Sequence, residues 1–167
     1  MMKVNGVLLE ELDNYLKKVD DENLKNWNKI IEERLSVTEN SLERNELALI
    51  LADHWGDIAV EPIIRLLRDK KTEGNRGTLL YALEDLNYSK YLGLLVDLMV
   101  QGNFEVSREA FSLIEEAVEN HENDIVLEED NITKQKNELM QKIKYLSGEI
   151  EFYIDALELL TNKLNRE

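Results

Sequence analysis

The 167 residues suffice for one compact body with a real core and are few for two independent ones. One Pro, seven Gly and no Cys beside abundant Leu, Glu, Lys, Asn and Ile predict an all-α chain, without disulfides or thiolate-held metal. Thirty-five acids against twenty bases give a formal charge of −15, which repels nucleic acid and anionic lipid and attracts a basic protein, although acidity also serves plain solubility.

No stretch approaches the ~20 consecutive apolar residues of a bilayer span, and Met1 to Gly6 lead straight into an amphipathic pattern rather than a signal-peptide core. A cytoplasmic protein with no membrane partner is expected. Val7, Leu8, Leu12, Tyr15, Leu16 and Val19 fall at three- and four-residue steps, the apolar face of a first helix. Asp20-Asp21-Glu22-Asn23 supply a cap and first-turn acids for a second, carrying Leu24, Trp27, Ile30, Ile31 and Leu35. Two helices, or one broken near Asp20, both fit.

From Asn40 the chain repeats itself at 32 residues. Arg44 pairs with Arg76, Leu47 with Leu79, Ala48 with Leu80, Leu51 with Leu83 and Asp53 with Asp85. The register continues through Val60 with Leu92, Ile63 with Leu95, Ile64 with Val96, Leu66 with Leu98 and Leu67 with Met99. Each copy reads as apolar helix, polar break (His54 to Asp57, Asn87 to Ser89) and second apolar helix. Asp57 and Ser89 are candidate N-caps for the second helices, Gly74, Gly77 and Gly102 punctuate the copies, and Pro62 sits in a first turn. A third copy starts at Ser107, with Ala110, Phe111 and Ile114 as its apolar positions. One hairpin cannot bury its own apolar side, so hairpins repeated at this length predict a stacked α-solenoid.

Between Glu109 and Thr133 stand nine acids and no Lys or Arg. Leu139, Ile143, Leu146, Ile150, Tyr153, Leu157, Leu160 and Leu164 then alternate steps of four and three, a coiled-coil seam. Gly148 costs about 1 kcal/mol inside a helix, so a break there into two helices stays open. The seam could pair two chains or pack within one.

Catalysis needs convergent groups, and the chain shows no nucleophile with its base and no metal-ligand spacing. His121 stands alone in the acidic stretch. His54-Trp55-Gly56-Asp57 reads as a hairpin corner, with Trp closing it, Gly turning it and Asp capping, or as an aromatic anchor for a partner. Asn123-Asp124 and Glu128-Glu129-Asp130 lack the Gly-centred alternation of a calcium loop, and Gly74-Asn75-Arg76-Gly77 lacks the Lys of a phosphate loop. No enzyme activity, metal or cofactor is expected.

The segment Arg76 to Gly102, RGTLLYALEDLNYSKYLGLLVDLMVQG, resembles short HEAT-like repeats, in which second helices line a concave surface. Extended to Phe111 through NFEVSREAF, it looks like the all-helical immunity proteins of bacterial polymorphic toxin systems, the family called immunity protein 30. The resemblance covers the middle third to half of the chain. It implies a small cytoplasmic antidote that binds the toxin domain of a cognate protein and blocks it.

The expected architecture is one domain over residues 1–167: amino-terminal capping helices at 1–39, HEAT-like repeats at 40–121, an acidic connection at 122–131 and a heptad-patterned helix or helical pair at 132–167. The expected activity is inhibitory binding of a basic toxin domain. Candidate contacts are Glu61, Arg65, Asp97 and Gln101 on the second helices, with Glu116, Glu119, Glu122, Asp124, Glu128, Glu129 and Asp130 in the acidic stretch. The rivals are an adaptor that self-associates as a homodimer through the seam, and an acidic mimic of DNA.

Overall fold

The computed structural model describes residues 2–119, 129–143 and 150–164. The fold is all-α apart from one two-stranded ribbon. The chain divides into two compact units, Met1–Leu86 and Asn87–Glu167. The division falls inside the second repeat copy, between its two apolar segments.

The first unit opens differently from its expected helix. Strands β1 (Lys3–Val4) and β2 (Val7–Leu8) pair antiparallel, Lys3 opposite Leu8 and Val4 opposite Val7. Asn5 and Gly6 turn between them at φ 48° and 88°, the left-handed pair that an Asn-Gly hairpin turn requires. Helix α1 is accordingly shortened to Leu9–Leu16, and Leu9 N–H donates to the Met2 carbonyl at 3.1 Å.

Two helices, not one, span the next segment. Asp20 is the N-cap of α2 (Asp21–Val37), accepting from the Asn23 amide at 3.0 Å. Asn40 caps α3 (Ser41–Trp55), its Oδ1 accepting from the Leu42 and Glu43 amides at 3.0 and 3.1 Å. Each cap contributes about 1 kcal/mol by satisfying amides that lack an intrahelical acceptor. Gly56, at φ 53°, ends α3, and a 3-10 turn over Gly56–Ala59 feeds α4 (Val60–Arg68). A second 3-10 turn, Lys70–Thr72, precedes α5 (Gly77–Tyr81).

Helix α5 is far shorter than its counterpart α3. From Leu83 the chain tightens into i to i+3 bonds, Leu83 to Leu80 at 2.9 Å, Glu84 to Tyr81 at 3.1 Å and Leu86 to Leu83 at 3.0 Å. Asp85 turns at φ 63°, a left-handed conformation that Asp tolerates better than most residues. Leu83 and Leu86 stay buried throughout, so the tight turns satisfy the same apolar pattern as a helix.

The expected capping by Asp57 and Ser89 is also revised. The N-cap positions of α4 and of α6 (Leu92–Gln101) are Ala59 and Tyr91, because a 3-10 turn intervenes in both copies, Gly56–Ala59 and Ser89–Tyr91. The 32-residue register is nonetheless reproduced in burial. Leu47 and Leu79, Leu51 and Leu83, Ile63 and Leu95, and Ile64 and Val96 are all fully buried. Each such side chain gains roughly 1.5–3 kcal/mol from leaving water.

In the first unit α3 packs on α1, α2 and α5, and α4 packs on α2 and α5. In the second unit α6 is followed by α7 (Phe104–Glu119), α8 (Glu129–Ile143) and α9 (Ile150–Leu164). Helix α6 packs on α7 and α8, and α9 packs on α7 and α8. The heptad segment is thus a helical pair, with Leu139, Ala156 and Leu160 fully buried; residues 144–149, including Gly148, lie outside the described residues. In α7 the core positions are Val106, Ala110, Leu113, Ile114, Ala117 and Val118, while Phe111, expected in the core, is half-exposed.

Candidate functional site

Polar side chains in the first unit form two linked clusters that hold helices in place. Glu43, buried at the start of α3, accepts from Arg34 Nε at 2.8 Å and Arg34 Nη2 at 3.0 Å, and from the Thr38 hydroxyl. Burial pushes the Glu43 carboxyl up, but the hydrogen bonds from Arg34 and Thr38 and the Arg34 charge outweigh it and leave its pKa lowered. Glu43 in turn raises the pKa of Arg34, through its hydrogen bonds and then its charge.

At the other end of α3, His54 Nε2 meets Asp13 Oδ1 at 2.9 Å, and Lys17 Nζ donates to Asp13 Oδ2 at 2.6 Å. The hydrogen bonds from Lys17 and His54 hold the Asp13 carboxyl below its usual range. His54 therefore ties the end of α3 to α1, a tie between residues 41 apart that sequence spacing alone could not reveal. Its neighbour Trp55 lies beside its ring, centroids 5.6 Å apart, so the tetrapeptide is built as a corner.

The repeat-related arginines differ. Arg76 fastens the turn before α5, donating to Thr72 Oγ1 at 3.2 Å and to the Asp69 carbonyl at 3.1 Å. Arg44 is 1% exposed, and its Nε has no hydrogen-bond partner. No ion pair engages it among the described residues.

The expected contact residues distribute as follows. Glu61 and Arg65 are exposed one turn apart on α4, and Arg65 reaches Glu32 on α2 at 3.6 Å. Asp97 and Gln101 lie one turn apart on α6, Gln101 exposed and Asp97 half-buried. Glu116 on α7 is half-buried and has structural work: the buried Tyr88 hydroxyl donates to the Leu113 carbonyl at 2.9 Å, with Glu116 Oε2 also at 2.9 Å. Asp130 is exposed at the start of α8. Glu119 and Glu129 fall in α7 and α8, their side chains outside the described residues, as are Glu122, Asp124 and Glu128 altogether.

Two surface hollows were not anticipated. One, of about 430 Å³, is lined in the first unit by Tyr15, Lys18, Val19, Asp20, Asn23 and Trp27, whose Tyr15 and Trp27 rings meet edge-on at 5.4 Å. The other, of about 330 Å³, runs along α7 and is lined by Phe104, Arg108, Glu109, Phe111, Ser112 and Glu115. Among the described residues no His, Asp and Glu side chains converge as a metal site, and no helix is long and apolar enough to cross a membrane.

Comparison with known proteins finds no matching family model, no matching curated protein and no matching solved structure.

Proposed function

We infer that this chain is a non-catalytic cytoplasmic inhibitor that binds a basic protein, with neutralisation of a cognate bacterial toxin domain as its specific role. The observation that carries this reading is charge. The chain has 15 more acids than bases, and carboxylates such as Glu46, Asp53, Glu73, Glu105 and Glu115 stand exposed on both units. Such a surface steers a cationic groove toward it and raises the encounter rate well above that of a neutral pair. HEAT-like repetition, visible as paired burial across the two copies, supports the resemblance to the immunity proteins. The mechanism is occlusion: the antidote covers the partner's substrate groove and matches its charge.

Growth rescue tests the reading. The carboxy-terminal domain encoded by the adjacent gene is expressed alone and then together with this chain. Arrest in the first case and growth in the second are expected. Continued arrest with the chain present and folded removes the antidote role.

A further inference from the structure

Helix α7 buries one face and leaves another to solvent. Phe104, Arg108, Phe111, Ser112 and Glu115 recur at steps of four, three, one and three, which places them on one stripe, the stripe that lines the 330 Å³ groove. Phe104 is 71% exposed, unusual for so large an apolar ring. Arg108 and Glu115 are both exposed, and neither forms an ion pair among the described residues.

We propose that this stripe is a homodimer interface, in which the α7 helices of two copies lie antiparallel about a two-fold axis passing between Phe111 and Ser112. The charges select that arrangement. Arg108 and Glu115 are seven positions apart, about 10.5 Å along the helix axis, and lie symmetrically on either side of the axis position. Antiparallel packing therefore sets Arg108 against the partner's Glu115 and Glu115 against the partner's Arg108. Parallel packing would set Arg against Arg and Glu against Glu. A two-fold interface must be complementary to itself, and this stripe is.

Size and shape agree. At the axis each Phe111 ring faces the partner's Ser112, whose small side chain leaves room for it, and each Phe104 extends the apolar contact toward the far end of the partner's helix. Two single-helix faces bury less than the ~1,200 Å² of a standard stable interface, so the dimer is weak, with a dissociation constant of the order of 10 µM. The net charge opposes self-association, but at 0.15 M salt the screening length is about 8 Å, and the paired charges at the contact outweigh the distant ones. The heptad seam is not the surface used, because Leu139 and Leu160 are fully buried in the chain itself.

A charge exchange tests the register. Sedimentation of the full chain at 0.15 M salt, over a concentration series from about 1 to about 300 µM, should show a monomer and dimer in equilibrium. Arg108→Glu alone and Glu115→Arg alone each replace two attractions with two repulsions and should weaken the dimer roughly ten-fold or more. Mixing the two single variants restores opposite charges at both contacts, so the mixture should form a heterodimer that neither variant forms with itself. Both substitutions are on exposed side chains, and circular dichroism verifies that the variants fold. A wild type that stays monomeric throughout, a dimer indifferent to both reversals, or a mixture that associates no better than its components would each overturn the proposal.

Discussion

Glu43 is the side chain on which the α2–α3 corner turns. It holds Arg34 and Thr38 together, and with its pKa lowered it contributes stability above the ordinary glutamate value of 4.5, lost as pH falls through its folded value. Glu43→Gln is therefore expected to lower unfolding free energy at pH 7 by about 1–3 kcal/mol, with the gap from wild type closing below pH ~4. Urea titration at several pH values measures it; a gap constant with pH would contradict the ionised contact. Arg44 is the opposite case. A guanidinium does not lose its proton in a protein, and this one is buried without a paired carboxylate. Arg44→Met should raise stability by about 1 kcal/mol or more in the same titration. A loss would mean that Arg44 makes a favourable contact beyond those described. Sequence located both side chains without distinguishing them, since Arg44 and Arg76 occupy equivalent repeat positions and differ only in what surrounds them.

At the scale of elements, periodicity reported which side of each segment faces the core and not how the backbone is coiled. The paired burial of the two copies was legible in Leu47 with Leu79 and Ile63 with Leu95, yet α5 has five residues where α3 has fifteen. Tight turns keep Leu83 and Leu86 inward as well as a helix does. The amino-terminal ribbon was legible too: Asn5-Gly6 between apolar residues is a strong hairpin signal, overridden by reading Val7 and Leu8 into the following helix. Phe111 was misplaced by carrying the repeat pattern into α7, whose own period puts Leu113 and Ile114 inside. Gly102 marks where α6 hands over to α7. A Cβ there would lie 2.5 Å from the Leu98 carbonyl oxygen and 2.5 Å from Val106 Cγ1, closer than van der Waals contact permits. Gly102→Ala is expected to cost about 1–3 kcal/mol, read as a lowered thermal midpoint. An unchanged midpoint would show that the corner relaxes freely.

For the whole molecule, charge is the property that sequence states in full, and it is what carries the functional reading. The individual contact residues were less legible. Acid density singled out Glu116, but the buried Tyr88 hydroxyl beside it gives that carboxylate a structural task. The α7 stripe drew no notice, because two phenylalanines, an arginine and a glutamate seven apart form no chemical motif until the helix aligns them. Titration calorimetry against the purified carboxy-terminal domain encoded by the adjacent gene, at about 0.05 and about 0.3 M salt, tests the central claim most directly. A one-to-one complex whose affinity falls at the higher salt is expected of an acidic antidote covering a basic groove. Absence of binding at both salts, or an affinity indifferent to salt, would contradict it.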